Sequence, residues 1–412
     1  MHARSRTAEK KENSSRRHKE QEVGQHDHIE KLTKSIERLQ SYIIKEDYRG
    51  YDPFDALTSP LCSLPLLSSS RIFKIALQQT VKRSPWDSRP FLGIAKGLNP
   101  VTLGLCVQAF SYLTKVFPKR AEFYMAEIGR CLDMLVQSRS KGFSGACWGY
   151  DFPWEARSMS LPAYYPTIVA TGIITNSLFT CYRVTKNQKA FDLCQDSVNF
   201  ILKDLKKSSF GESFCYSYSP RDRQCVLNAT MKGARLLAQV YSVTGKHALA
   251  EEAGNTVRFV AGAQKENGSW PYAYQDARTW VDNFHTGYIL DCLDEYIRCT
   301  GETQYTPCLT KGLSYYRKNF FLPDGFPKYY DTADYPLDST AAAQSILTLT
   351  RFDDAATANK VAIMMIDRMQ DAEGFFYYQR SATKVKKLSF MRWSNAWMFA
   401  GLSYILFKAK TR

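Results

Sequence analysis

The chain has 412 residues, of which 44% are hydrophobic and 23% charged, and its formal net charge is +15. That apolar fraction is enough for a large core. No run approaches the 18 consecutive apolar residues of a membrane span, and the basic excess is spread over helix faces with no recognised nucleic-acid motif, so a membrane-spanning protein and a specific nucleic-acid binder are both excluded.

Residues 1–28 are rich in Lys, Arg, Glu, Ser and Gln and hold Arg4, Arg6, Lys10, Lys11, Arg16, Arg17 and Lys19. With no apolar segment to bury, they read as a disordered basic tail, either a plain solubiliser or a weak contact for an anionic surface. Residues 29–412 read as one domain. Its first helical stretch is Ile29 to Glu46, and a second, Ser69 to Lys82, precedes the region where a repeat begins.

Six glycines, Gly93, Gly142, Gly211, Gly268, Gly325 and Gly374, follow one another at steps of 49, 69, 57, 57 and 49 residues. Most lead into clustered aromatics and then into a helix rich in small residues. A period of about 50 recurring this often marks a repeat architecture. The stretches before the glycines, Lys119 to Gln137, Gln188 to Leu205, Ala248 to Gln264, Thr306 to Asn319 and Ala355 to Gln370, carry one apolar stripe and one charged face. Those after them, Val101 to Leu113, Thr167 to Tyr182, Ala229 to Tyr241, Phe284 to Ile297, Ser339 to Leu349 and Trp393 to Phe407, are apolar nearly all round. Six buried helices inside six half-exposed ones predict an all-α (α/α)6 toroid, with Ile29 to Glu46 or Ser69 to Lys82 as the sixth outer member. Asn99-Pro100 predicts a helix start, and Thr244-Gly245 and Thr300-Gly301 predict helix stops. The junctions should gather at one rim as an aromatic cup, although the same rings could simply plug the end of the barrel.

Four clusters could carry chemistry there. Trp148, Tyr150, Trp154 and Arg157, with Asp151 among them, resemble a platform on which sugar faces stack while charged groups meet hydroxyls or a carboxylate. Trp270, Tyr272 and Trp280 lead to Asp282, Asn283, His285 and Tyr288 at the start of a buried helix, where acid and base groups would share a face. Asp282 is equally an N-cap and a catalyst; His285 is the histidine set among clustered aromatics. Asp338 opens the next buried helix as a cap or as a carboxylate aimed into the cup. Arg392 would stand at the rim, while Trp393 and Trp397, four residues apart, read as core. Asp282, His285, Asp338, Asp151 and Tyr288 are thus the catalytic candidates, and Trp148, Tyr150, Trp154, Arg157, Trp270, Tyr272, Trp280, Asn283 and Arg392 the substrate-binding ones.

Eleven cysteines without a Cys-x-x-Cys pair or a secretory signal suggest reduced thiols in a cytoplasmic protein. Only His247 and His285 lie beyond the tail region, so no zinc site and no cofactor is expected.

These segments resemble a bacterial family of surface-polysaccharide biosynthesis proteins with the toroid of the six-hairpin glycosidases. The resemblance is carried by Tyr51-Asp52-Pro53-Phe54-Asp55 with Ser59-Pro60, Arg83-Ser84-Pro85 with Arg89-Pro90, Lys96-Gly97-Leu98-Asn99-Pro100, Trp148-Gly149-Tyr150 with Trp154 and Arg157, Pro166 to Thr171, Asp282 to Tyr288, and Met391-Arg392-Trp393 with Ala396-Trp397. The chain departs from the pattern at Pro153, where a polar residue is more familiar, and at Ser339-Thr340, where a histidine often follows the acid. The resemblance implies a carbohydrate-active enzyme acting on an oligo- or polysaccharide, in some cases an acidic one. Cleavage of glycosidic bonds by two carboxylates from Asp151, Asp282 and Asp338 is the first expectation. A uronate lyase or C5-epimerase using His285, Tyr288, Asn283 and Arg392 is the second, and a non-catalytic glycan-binding or scaffold protein is the third.

Overall fold

The computed structural model describes residues 27–156 and 159–411. An outer helix α1 (27–45) is followed by a crossing helix α2 (Arg71–Arg83) and the first inner helix α3 (Pro100–Val116). Outer and inner helices then alternate: α4 (Ala121–Gln137) and α5 (Ile168–Thr185), α6 (Gln188–Asn199) and α7 (Leu227–Thr244), α8 (His247–Gly262) and α9 (Asn283–Thr300). The last two pairs are α10 (Thr306–Asn319) with α11 (Ser339–Arg351) and α12 (Ala355–Met369) with α13 (Trp397–Lys410). Each inner helix packs on the next, and α13 packs on α3, so the inner ring is closed.

The predicted division of labour follows from burial. On α4 the buried residues are Tyr124, Ile128, Cys131, Leu132 and Leu135, a single stripe at helical spacing, whereas on α3 every residue except Lys115 is buried. Small residues bring the inner helices close: a Cβ on Gly104 would stand 3.1 Å from the Ile174 backbone on α5. Asn99 caps α3 ahead of Pro100, and Gly245 and Gly301 end α7 and α9 in the left-handed conformation.

All six junction glycines have positive φ, from 60° at Gly211 to 102° at Gly374. Two show why the position tolerates nothing larger. A Cβ on Gly268 would lie 2.6 Å from the Lys311 carbonyl of α10, and one on Gly374 would strike the Arg38 carbonyl of α1. The junction after one outer helix is therefore seated on the following outer helix, and the last is seated on the first, which closes the outer ring. The helix 27–45 is thus the sixth outer member.

The other candidate for that place forms α2 and lies across the rim, where Gln78 exchanges two hydrogen bonds with the Glu155 backbone, at 2.8 and 3.1 Å. Small antiparallel sheets decorate the junctions: β1 (Trp154–Ala156) with β2 (Met159–Leu161), β3 (Lys207–Phe210) with β4 (Ser213–Tyr216), and β5 (Leu337–Asp338) with β6 (Tyr377–Arg380) and β7 (Val385–Ser389). Among the described residues no helix is long and apolar enough to cross a membrane. The basic tail, apart from its last two residues, lies outside the described residues; those two already begin α1.

Candidate active site

Helices α5, α7, α9, α11 and α13 each turn residues of their first turns toward one end of the ring, where the junction loops enclose a cavity of about 280 Å³. Asp282 and His285 stand on its wall. Asp282 is the N-cap of α9: its Oδ1 accepts the His285 amide at 2.9 Å while its Oδ2 stands 2.6 Å from His285 Nδ1. The side chain of the residue three beyond a cap folds back over the helix start, so the local sequence itself builds the pair. A carboxylate accepts, so Nδ1 carries the proton and Nε2 is left as the basic nitrogen. Asp282 is 3% exposed.

One turn deeper on α9, Tyr288 faces the same cavity, its ring centre 6.0 Å from that of His285. Burial holds its phenol well above the usual range, so it keeps its proton. Behind its ring, 3.3 Å from the centre, lies Lys232 Nζ, and burial of that ammonium lowers its pKa to about 7. Arg392 enters from the turn before α13. Asp52 holds it by two bonds, Nε to Oδ2 at 2.6 Å and Nη2 to Oδ1 at 2.8 Å, and it lies over the Tyr150 ring.

Of the expected platform, Tyr150 and Trp154 line the cavity, and other rings join them. Tyr272 stacks on Trp280 at 4.9 Å, Tyr150 stacks on Phe152 at 5.4 Å, and Trp154 completes that wall. These pairs offer flat apolar faces of the kind on which pyranose rings sit.

Several expected site residues fall elsewhere. Trp148 and Trp270 are buried behind the junctions, where their indole nitrogens donate to the carbonyls of Leu135 and Val260. Both are anchors between junction and outer helix. Asn283 points away from the cavity: its side chain donates to the Lys328 carbonyl and accepts from Tyr316 and Ser345. Asp338 is fully buried as the cap of α11. It accepts from the amides of Thr340 and Ala341 on one oxygen, and from Gln379 and Trp393 on the other, and it does not line the cavity. Asp151 also stands behind the wall, bonded to Asn99 Nδ2 at 2.5 Å. Burial and the Asp52 charge raise its pKa to about 6. Arg157 lies outside the described residues.

Other wall residues were not expected. Trp393 and Trp397, read as core, do pack in the core, Trp397 at 5% exposure, and both line the cavity as well; a π-turn over Met391–Ala396 precedes α13. Phe54 and Lys82 come from the segment before the first repeat, with Lys82 Nζ 4.2 Å from the Phe54 ring centre. Asn228, in the first turn of α7, is 1% exposed, and its Nδ2 has no partner among the described residues. Asn228 is the second residue of its helix, the position held by Phe284 on α9 and Thr340 on α11, and these line the cavity as well. Phe54 belongs to the Tyr51-to-Asp55 motif, which by itself assigns it no role.

No protein-family model matches the chain, and no curated protein matches it in sequence. Solved structures do. A cellobiose 2-epimerase from Bacillus thermoamylovorans superposes over 76% of this chain and 90% of its own, with a TM-score of 0.58 and 14% identity. A family 76 glycoside hydrolase from a bovine Bacteroides thetaiotaomicron strain matches over 74% and 69%, with a TM-score of 0.57 and 10% identity. A possible member of family GH105 from Salmonella enterica matches over 85% and 97%, with a TM-score of 0.55 and 13% identity. At such identities the likeness is one of fold: the chain is an (α/α)6 toroid of the six-hairpin glycosidase type.

Proposed function

We propose that the chain is a carbohydrate-active enzyme of surface-polysaccharide biosynthesis or processing that moves a proton at a sugar ring carbon, as a uronate lyase or C5-epimerase does. The observation that carries this reading is the pair on the cavity wall. Asp282 is the one carboxylate among the described lining residues, and both its oxygens are engaged, leaving His285 Nε2 as the base. Paired-carboxylate hydrolysis would need a second acid across the cavity. Asp151 and Asp338 stand behind the wall, which takes support from that expectation.

In the proposed step His285 Nε2 removes the C5 proton of a uronate. The C–H electron pair flows into the adjacent carboxylate, whose growing charge faces the cations Arg392 and Lys82. The enolate then has two exits. Breaking the C4–O bond, with a proton passing to the leaving oxygen, gives an unsaturated sugar. Return of a proton to the other face of C5 gives the epimer, and Tyr288, held protonated, is the donor for either. The stacked aromatics hold the ring, and the cavity, near the lower end of small-molecule sites, suits a short stretch of glycan.

The toroid of the superposed structures accommodates an epimerase and a hydrolase alike, so the fold alone does not select the chemistry. The test is incubation with uronate-containing glycans in deuterium oxide. Ultraviolet absorbance of an unsaturated product or deuterium at C5 is the expected result. New reducing ends with neither signal would return the chain to the hydrolases, and tight glycan binding without any turnover would leave it a binding protein.

A further inference from the structure

Between α1 and α3 the chain makes a detour that the hairpin repeat does not require. Of the eleven large apolar side chains left exposed among the described residues, five lie in this detour: Leu61, Leu64, Ile72, Trp86 and Phe91. Ile72 and Phe91 are each 83% exposed. The two ends of the detour emerge together: Ser59 Oγ donates to the Leu92 carbonyl at 2.6 Å, and Pro60 packs against Gly93. The rings of Trp86 and Phe91 meet edge to face at 5.9 Å. On α2, Gln78 and Val81 occupy the buried face, which turns Ile72, Ala76, Gln79 and Arg83 to the open side.

The charge around these side chains is mostly positive. Arg71, Lys74 and Arg83 stand on the segment from Leu61 to Leu92, Arg71 at 3.0 Å from Glu155, while Arg89 is buried against Asp55, Lys82 turns to the cavity wall, and Asp87 is the one acid of the segment. The strand β7 with its turn adds Lys384, Lys386 and Lys387, and Lys386 Nζ reaches the Arg83 carbonyl at 3.3 Å, so this basic hairpin abuts α2. Protruding aromatic and aliphatic side chains ringed by Lys and Arg are what an anionic bilayer accommodates: the apolar tips enter among the headgroups and the cations face phosphate.

We infer that this face is a peripheral docking surface for an anionic lipid bilayer. A second copy of the chain is a poor occupant, because two faces of the same sign on molecules of net charge +15 repel. A folded protein partner would need a pocket shaped to each protruding tip; a bilayer needs none. The same detour supplies Phe54 and Lys82 to the cavity wall, so docking sets the cup beside the membrane surface, within reach of a glycan held there. The docking stands independently of the reaction assigned to the cup.

The test uses the full chain and sedimentation with vesicles of equimolar phosphatidylcholine and phosphatidylglycerol, against vesicles of phosphatidylcholine alone. Binding to the anionic vesicles only is expected, with partition about tenfold weaker in the double variant Trp86→Ser, Phe91→Ser and an unchanged melting temperature. Ile72→Ser, at a side chain that is almost wholly exposed, is the companion variant should the double one lose stability, and Met125→Ser on the outer face of α4 is the control expected to change nothing. No binding by the parent chain overturns the proposal. So does undiminished binding by the patch variants, which would assign the attraction to the basic N-terminal residues. A parent that is dimeric by light scattering and becomes monomeric in the double variant also overturns it, in favour of self-association.

Discussion

Asp282→Asn separates the two roles that one carboxylate performs. As the cap of α9, an asparagine oxygen can still accept the His285 amide, and Asn and Asp are near equals at this position, so stability should fall by no more than about 1 kcal/mol. As the partner of the imidazole, asparagine reverses the arrangement. Its amide now faces Nδ1 where Oδ2 stood at 2.6 Å, so Nδ1 must accept, and the proton moves to Nε2, the nitrogen required as base. A general base contributes about 10² to 10⁴ in rate, and a base locked in the wrong tautomer forfeits most of that, so the expected loss is about 10³-fold or more. Rates would be read as deuterium entering C5 or as absorbance of unsaturated product, beside a thermal melt of the same preparation. Asp282→Ala should lose as much rate and, in addition, about 1–2 kcal/mol of stability through the missing cap. An Asp282→Asn protein that keeps more than about a tenth of the parent rate with an intact melt would refute the assignment of His285 as base.

Three further outcomes follow from the same geometry. Asp151→Asn should keep activity and gain stability at alkaline pH. The folded-state pKa of about 6 lies above the unfolded value, so the parent loses stability as pH rises from about 4 through 6, by up to about 3 kcal/mol, whereas the amide does not titrate. Melts at pH 4 and pH 8 check the sign, and a dead but folded Asp151→Asn would restore that carboxylate to catalysis. Trp270→Ala should destabilise by about 3–5 kcal/mol by denaturant titration, because the ring fills the space over Gly312 and anchors its junction; lost sugar affinity at unchanged stability would contradict that placement. Asn228→Ala should raise KM about tenfold without moving the melt, since its Nδ2 has no partner to lose among the described residues; an unchanged KM would remove it from the site.

The sequence carried the ring well because the ring is periodic. The six glycines share a positive φ, which glycine adopts without strain, and at Gly268 and Gly374 the next outer helix's backbone also leaves no room for a Cβ; a turn of that conformation leaves the same residue at each repeat whatever surrounds it. The Asp282–His285 pair was also legible, since cap and third residue are neighbours on the helix itself. Tryptophan was harder to read. Trp148 and Trp270 sit close behind the junction glycines, where the ring drops onto the preceding outer helix, while Trp393 and Trp397 pack in the core as read and line the cavity in addition. Composition is the same in all four, and only the turn geometry separates anchor from wall.

The remaining half of the site was hidden by distance along the chain. Asp52 grips Arg392 across 340 residues, and Asp55 holds the buried Arg89 in the same way, with Nε to Oδ1 at 2.8 Å. The motif from Tyr51 to Asp55 and the Arg89-Pro90 pair are thus one device. It fastens the detour to the turn before α13, and so fixes Phe54 and Lys82 over the mouth. Nothing in the repeat predicts this, because the detour lies outside the repeat. Burial and the Arg89 guanidinium act on Asp55 in opposite directions; burial prevails and leaves its pKa at about 7. Replacing Arg89 would remove the charge that opposes burial and leave a carboxylate with no counterion inside the fold. Arg89→Met should therefore cost about 3–5 kcal/mol, and Asp55→Asn in the same chain should recover part of that loss. If the double variant is no more stable than Arg89→Met alone, the two groups are not coupled, and the cup is held closed by other means.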